Sequence, residues 1–262
     1  TGDVILLLPG VYQLSFDNAI TFYENKDVTI ASYYYLNGDT SNISQTIVIP
    51  YDFYPPIIHG TSGLSRIIGL TFTIPDSIPL SNNSAGYSGS FITVGSVGTE
   101  DAGSLELTRC IFERNQRFIN DNSYEHFSLS INKCILKNIS GNLPGNAKLS
   151  NVTINIDSTV IDNCVSPLME TENSNVTISN SLFSNNSGIA DNNNPGYASL
   201  QFLDSGLINI INSNFENCRG DNIIYANDEL DSLFIDNCNF FNNITCNGVI
   251  RGQGIEYHAV VR

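Results

Sequence analysis

The sequence predicts an all-β protein in which short parallel strands stack as the coils of a solenoid. Two observations support this prediction: one motif recurs along the chain, and its aliphatic positions are the same in every copy. The motif is clearest in residues 176–187, 208–219 and 233–244, which read VTISNSLFSNNS, INIINSNFENCR and LFIDNCNFFNNI. A unit of 22–25 residues cannot bury its apolar face alone, so neighbouring units must stack. We therefore expect one domain over residues 1–262 with about ten coils.

Each repeat has an apolar centre from which the other positions are counted. The centres are Phe112, Leu136, Ile161, Phe183, Phe215 and Phe240. The residues seven and five positions before every centre are aliphatic, which is the alternation of a strand with one buried face. The next inward positions are the small residue two before the centre and the centre itself. The alternation is therefore shifted by one residue, which requires a bend between two strands. Each coil therefore begins with a strand, a sharp bend and a second strand.

Polar residues suited to turns stand at the expected bends. Asp157, Asn180, Asn212 and Asn237 are placed at the bend because Asn and Asp tolerate left-handed backbone. Asn also stands two residues after five of the six centres, where stacking predicts a hydrogen-bonded amide ladder. Leucine-rich repeats share this repeat length. They need Leu-x-x-Leu-x-Leu and a helical return, whereas the returns here are rich in Asn, Gly and Pro.

Composition excludes several kinds of partner. The net charge is −15, and no basic patch is visible that would bind nucleic acid or an anionic membrane. No apolar run approaches the roughly 20 residues of a membrane span. The chain begins inside a predicted strand and ends in another, so we expect it to be a segment of a longer chain or a subunit of an assembly. An extracellular or cell-surface location is expected.

Six cysteines occur without a CxxC pair or a Cys/His cluster at zinc spacing, so no metal or cofactor is expected. Disulfides in an oxidising compartment are the favoured interpretation, and buried free thiols are the alternative. Cys110 and Cys134 share a column on adjacent coils, and Cys218 and Cys246 are one coil apart. These two pairs are the predicted disulfides.

Seven Asn-x-Ser/Thr sites occur in the chain. Asn138 and Asn185 belong to the predicted amide ladder, where the amide should already be hydrogen-bonded. If the protein is secreted, we expect glycans on four other asparagines: Asn42, Asn82, Asn151 and Asn175.

Four aliphatic residues stand one position before consecutive centres, on the outward face: Ile111, Ile135, Val160 and Leu182. Such an exposed apolar stripe is unusual on a monomer. Either a loop within residues 74–100 covers it, or it is a contact between subunits. Because the ends of a stacked sheet also leave unpaired backbone, we expect self-association, end to end or laterally, into a fibre or oligomer.

The chain resembles the pectin-lyase-like right-handed parallel β-helices. The resemblance is carried by the opening segment Gly2–Tyr12, which contains Pro9-Gly10-Val11-Tyr12, and by the early repeat Ile67–Phe72. It implies a right-handed parallel β-helix, closest in style to the non-enzymatic surface and adhesin proteins of this fold. Enzymes of the fold act on acidic polysaccharides with Asp clusters, Arg or Lys, and often calcium.

An enzymatic site of this kind would need basic residues beside a cluster of carboxylates. Arg109, Arg114, Arg117, Lys133 and Lys137 fall close together in the sequence. They are assigned to different outward columns without a facing Asp cluster, so no catalytic residue is predicted.

The main functional prediction is therefore a non-enzymatic, extracellular structural or adhesive β-helix glycoprotein. The alternative is a carbohydrate-active enzyme of the same fold, either a polysaccharide lyase or a hydrolase. A third class, a glycan-binding module, needs an aromatic platform. The only dense aromatic run, Tyr33-Tyr34-Tyr35, is expected to pack into a strand.

Overall fold

The computed structural model describes residues 2–14, 18–22, 26–50, 56–59, 63–74, 90–94, 103–115, 117–121, 127–139, 149–165, 168–188, 199–203, 206–227, 230–252 and 260–261. Short strands dominate these residues, and the pairings between them are parallel. In each of the two long sheets, neighbouring strands follow the order of the chain, so the chain advances by one strand per coil. This is a parallel β-helix, and the predicted fold class is confirmed.

Two long sheets form the principal faces. The first sheet contains, in order, Asp3–Leu7, Val28–Ser32, Leu64–Ile68, Ser104–Thr108, Ser128–Asn132, Thr153–Asp157, Asn175–Ser179, Leu207–Ile211, Ser232–Asp236 and Val260–Val261. The second sheet contains Gly10–Leu14, Thr46–Pro50, Thr71–Thr73, Ile111–Asn115, Ile135–Ile139, Val160–Asp162, Leu182–Ser184, Asn214–Glu216 and Asn239–Phe241.

Shorter sheets close the coils. One contains Ile20–Phe22, Ile57–His59, Ser90–Val94 and Arg117–Asp121. Another contains Leu149–Ser150, Met169–Glu172, Leu200–Leu203, Ile224–Ala226 and Ile250–Gly252. A two-stranded sheet pairs Arg219–Gly220 with Ile244–Thr245.

The register predicted from the repeat is confirmed. Ile156 pairs with Ile178, and Ile178 pairs with Ile210, so these side chains stand on consecutive coils. The centres pair in the same way from Phe112 through to Phe240. Because one coil places its apolar residues directly over those of the next, the buried residues form one continuous core.

Aromatic centres stack along this core. The ring centroids of Phe183 and Phe215 are 4.8 Å apart, and those of Phe215 and Phe240 are 4.9 Å apart. Phe72 and Phe112 stack in the same manner at 4.8 Å. The ring separation therefore matches the spacing of about 4.8 Å between neighbouring strands.

The turn between a first-sheet strand and the following second-sheet strand is called the first corner below. Phe72 pairs with Phe112 and is the centre of the early repeat. At this corner the residue three positions before Phe72 and before each of the six other centres has left-handed backbone, with φ between 50° and 66°: Gly69, Arg109, Lys133, Ser158, Asn180, Asn212 and Asn237. One assignment from the sequence is wrong. The left-handed residue of its coil is Ser158, whereas Asp157 is the last residue of its strand and pairs with Asn132. The register, and not the residue type, fixes the turn position.

A second corner follows each second-sheet strand. Its left-handed residues are Arg114, Asn138, Asn163, Asn185, Asn217 and Asn242. The predicted amide ladder is formed in part. The amide of Asn163 donates to Oδ1 of Asn138 at 2.7 Å, but the amide of Asn185 donates to Oδ1 of Asp162 at 2.8 Å.

An insertion interrupts the first corner of the second coil. It contains the short helices α1 (Tyr34–Asn37) and α2 (Ser41–Gln45), between the strands Val28–Ser32 and Thr46–Pro50. The expectation that the three tyrosines pack into a strand is therefore wrong. No helix in the described residues has the length and apolar character needed to cross a membrane.

All six cysteines are free thiols, so the predicted disulfides are absent. Cys110 and Cys134 do stack on adjacent coils, and the backbone N–H of Cys110 donates to Sγ of Cys134 at 3.4 Å. Stacked Cβ atoms are about 4.8 Å apart, which exceeds the usual separation of about 3.8 Å in a disulfide. In the other pair, Cys218 is buried and Cys246 is exposed.

Candidate functional site

Two cations stand in one column of the first corner. Arg109 follows Thr108, Lys133 follows Asn132, and these preceding residues are paired across the sheet. Arg109 and Lys133 therefore lie on adjacent coils, about 4.8 Å apart along the solenoid. The assignment of these residues to different columns is wrong for this pair, because counting from the centres puts both at the same position.

The backbone of the corner fixes both residues. The N–H of Arg109 donates to the carbonyl of Asn132 at 2.9 Å, and the N–H of Lys133 donates to the carbonyl of Asp157 at 2.9 Å. These bonds to the next coil help to offset the cost of left-handed backbone, about 1–2 kcal/mol for a residue with a Cβ. The two cationic side chains consequently start from a rigid turn.

Tyr34 borders the cations on the side of the insertion. The Cζ atom of Arg109 lies 5.6 Å from the centre of the Tyr34 ring, within the range of a cation–π interaction. Between them in the column stands Gly69, where the corner is left-handed and carries no side chain. The aromatic ring therefore extends the column of Arg109 and Lys133 toward the second coil.

Asp157 borders the cations on the opposite side. Its Oδ1 accepts hydrogen bonds from the hydroxyl of Ser179 at 2.6 Å and the amide of Asn180 at 2.8 Å, and its Oδ2 accepts one from Ser158 at 2.9 Å. These bonds, with a smaller contribution from the charge of Lys133, lower the pKa of Asp157. Asp157 thus stays ionised beside Lys133. We call Tyr34, Arg109, Lys133 and Asp157 the basic corner.

Other cations of the region are already engaged. Arg66 forms an ion pair with Glu106 at 2.8 Å, and Lys137 forms one with Glu113 at 3.0 Å. Arg114 donates to the carbonyl of Ile74 at 3.3 Å. In the described part of the chain, Arg109 forms no such ion pair, and Lys133 has only the weaker attraction of nearby Asp157. Both charges can therefore interact with an anion. The side chain of Arg117 lies outside the described residues.

The predicted apolar stripe runs beside the basic corner. Ile111, Ile135, Val160 and Leu182 pair on consecutive coils of the second sheet. Ile135 is 39% exposed, and the other three are half-buried. The loop expected to cover them falls largely outside the described residues, so the subunit contact stays a prediction.

The predicted glycosylation sites differ in accessibility. Asn151 and Asn175 are exposed, and Asn82 lies outside the described residues. Asn42 is only 7% exposed, and its amide donates to the carbonyl of Asp39 at 3.1 Å. A glycan on Asn42 would have to displace this internal bond, and all four sites stay predictions.

The basic corner has the chemistry of an anion site. An arginine and a lysine on adjacent coils can bind two carboxylates of one polymer, or the two oxygens of a single carboxylate. In the part of the chain that the structure describes, no three His, Cys, Asp or Glu side chains come together to hold a metal ion.

Comparisons with known proteins agree with this fold. No protein-family model and no curated protein matches the chain. The solved structure of a PL6 family alginate lyase, AlyGC, matches with a TM-score of 0.62 and 14% identity, over 97% of this chain and 37% of that chain. A mutant of the same lyase aligns with a TM-score of 0.27 and 9% identity, over 91% of this chain and 50% of that one.

The chain therefore belongs to the class of parallel β-helices, in agreement with the resemblance found in the sequence. It spans about a third of the length of the alginate lyase that it matches, and at this identity the likeness shows the fold. The main functional prediction, a non-enzymatic structural or adhesive protein, is contradicted because the matched structure is that of an enzyme. The alternative stated with it, a carbohydrate-active enzyme, fits this finding better.

Proposed function

We propose that this chain is the β-helix of a polysaccharide lyase that cleaves a uronate polymer such as alginate. The observation that carries the proposal is the pair Arg109 and Lys133 on adjacent coils of an otherwise acidic protein. Within the described residues neither cation forms an ion pair, although Asp157 lies near enough to Lys133 to feel its charge. The likeness in fold to a PL6 family alginate lyase supports it.

The reaction would be a β-elimination. The C5–H bond and the bond from C4 to the glycosidic oxygen break, and a double bond forms between C4 and C5. The proton from C5 passes to a base, and the departing oxygen takes up a proton. The difficult step is the removal of a proton next to a carboxylate, because negative charge builds up beside an existing one. Cations placed at that carboxylate stabilise the developing charge.

Each residue of the basic corner suits one part of this reaction: binding of the sugar carboxylate, proton transfer, or orientation of the group that transfers the proton. Arg109 presents a planar guanidinium whose donors match a carboxylate in pairs, so it suits the carboxylate of the sugar. Lys133 has an amine that can exchange a proton, so it suits the transfer to or from the substrate. Asp157 already accepts three hydrogen bonds and is a weak base, so it suits the orientation of Lys133.

The test is product analysis with alginate, polygalacturonate and a neutral glucan. We expect ultraviolet absorbance from unsaturated ends with at least one of the two uronates and none with the glucan. Mass spectrometry of the products then separates elimination from hydrolysis, because only hydrolysis adds water. Products that contain added water, or no cleavage of any uronate, would contradict the proposal.

An extracellular location belongs to the same proposal. A uronate polymer is too large and too highly charged to cross a bilayer, so a lyase must meet it outside the cell or at its surface. Measuring the protein in the medium and the cytoplasm of its native cells tests this point.

A further inference from the structure

The insertion at the first corner exposes a group of large apolar side chains. Tyr33 is 40% exposed, Tyr35 is 47% exposed and Leu36 is 58% exposed, within four consecutive residues. Tyr34, between the two exposed tyrosines, turns toward Gly69 and Arg109. Because successive residues of a helical turn are about 100° apart, Tyr33 and Tyr35 flank Tyr34 on either side. An aromatic surface therefore adjoins the cationic column.

The insertion is held firmly in place. The N–H of Gly38 donates to the carbonyl of Tyr34 at 2.8 Å and ends α1 with left-handed backbone. In α2, Ile43 is buried, and its carbonyl accepts a bond from the hydroxyl of Thr71 at 2.8 Å. The exposed rings thus sit on a turn that is tied to the third coil.

Further polar bonds brace the two helices against each other. Oδ1 of Asp39 accepts the N–H of Ser41 at 2.9 Å, and this bond lowers the pKa of Asp39. The amide of Asn42 reaches both Asp39 and Asn37. A rigid aromatic surface loses little entropy when it binds a ligand, which is the advantage of a preorganised site.

The geometry matches a polymer that runs along the corner. The insertion belongs to the coil of Ser32, and Lys133 stands three coils further on, about 14 Å away at the strand spacing. If a polymer binds Arg109 and Lys133 through its carboxylates and continues along the corner, its next sugars lie beside the exposed tyrosines. Sugar rings have an apolar C–H face that packs on an aromatic ring, and a tyrosine hydroxyl can bond to the sugar rim.

We propose that Tyr33 and Tyr35 form a subsite that takes a pyranose ring of an acidic polysaccharide, remote from the reacting bond. The subsite deepens the proposed function and rests on it for the identity of the polymer. It binds substrate and transition state alike, so its loss weakens binding of long chains and leaves short ones unaffected.

The experiment compares three variants: Tyr33→Ala/Tyr35→Ala, Tyr33→Phe/Tyr35→Phe and Phe241→Ala. Phe241 is an exposed aromatic residue on the second sheet and serves as the matched control. Retardation in alginate and polygalacturonate gels measures binding, and KM is measured with the polymer and with a trisaccharide. We expect the double alanine variant to weaken polymer binding roughly five- to tenfold. The phenylalanine pair and Phe241→Ala should stay within about twofold of the wild type.

The possible results separate the subsite from the lyase. Equal retardation of the wild type and the double alanine variant would overturn the subsite while leaving the lyase intact. Weakened retardation without any unsaturated product would support the subsite and overturn the lyase. A wild type that is not retarded by either uronate would overturn the subsite. The phenylalanine pair and Phe241→Ala should retain the melting temperature of the wild type. The double alanine variant removes two rings that are more than half buried, so its binding is compared well below its own melting temperature.

Discussion

Tyr34 packs directly against the backbone of Gly69 on the neighbouring coil. A Cβ atom on Gly69 would lie 2.9 Å from Cδ1 of Tyr34 and 2.8 Å from Oγ of Ser32. The other left-handed positions of the first corner carry side chains, so the corner itself does not demand glycine. Glycine is required at position 69 because Tyr34 approaches the backbone there so closely. This contact also sets the position of the insertion beside Arg109.

Gly69→Ala is expected to destabilise the protein more than Gly38→Ala. The two glycines have nearly the same φ, 66° and 70°, but a Cβ on Gly38 would meet nothing within 4 Å. Gly38→Ala should therefore cost about 1–2 kcal/mol for the left-handed backbone alone. Gly69→Ala adds the displacement of Tyr34 and Ser32, about 1–3 kcal/mol more. Urea unfolding measures both values, and equal losses would refute the tight contact.

Phe215→Ala is expected to lower the free energy of unfolding by about 3–5 kcal/mol. Phe215 is fully buried and stacks between Phe183 and Phe240, so its loss leaves a cavity in the ladder. Phe241→Ala is the control, because this ring is 61% exposed and its loss should change stability by less than about 0.5 kcal/mol. Urea unfolding measures both values. Similar losses of free energy of unfolding for the two variants would argue against the register that stacks Phe215 between Phe183 and Phe240.

Asp157→Asn should change how stability depends on pH. Hydrogen bonds from Ser179, Asn180 and Ser158 lower the pKa of Asp157 in the folded state. Its charge therefore stabilises the fold at neutral pH, and this contribution disappears as the pH falls from about 4 through the lowered folded value. At pH 7 the urea midpoint of unfolding should be higher for the wild type than for Asp157→Asn. The difference between the two midpoints should become smaller toward about pH 3. A gap that is constant with pH would count against this assignment.

The six thiols should differ in reactivity. Cys246 is exposed and should react first with a thiol reagent, and the half-buried Cys238 should follow. The remaining four cysteines are buried, and burial raises the pKa of Cys164 to about 12, so they should react only on unfolding. Unfolding without reductant should release six reactive thiols. Fewer than six reactive thiols would show that some cysteines are oxidised and would support the disulfides predicted from the sequence.

The fold was predictable because stacking repeats one chemical requirement on every coil. Side chains five and seven residues before each centre must be aliphatic, so spacing alone aligned Ile156 with Ile178 and Ile210. Residue preference was a weaker guide at the turns. It selected Asp157, although the turn falls on Ser158, because both residue types occur in turns.

The candidate site was harder to predict. Arg109 and Lys133 could have been placed in one column by the same count that aligned the core, since each stands three residues before a centre. The insertion offered a weaker signal. Its three tyrosines have the composition of a strand, although Gly38, which ends α1 with left-handed backbone, is a residue that commonly ends a helix.

The most direct test of the proposed site is the rate at which Lys133→Gln and Lys137→Gln release unsaturated ends from a uronate polymer. Both variants remove one positive charge from neighbouring positions of the same coil, but Lys137 is already paired with Glu113. We predict that Lys133→Gln lowers kcat by at least about 100-fold and that Lys137→Gln stays within about twofold of the wild type. Full activity in Lys133→Gln, with its melting temperature unchanged, would contradict the assignment of the basic corner as the active site.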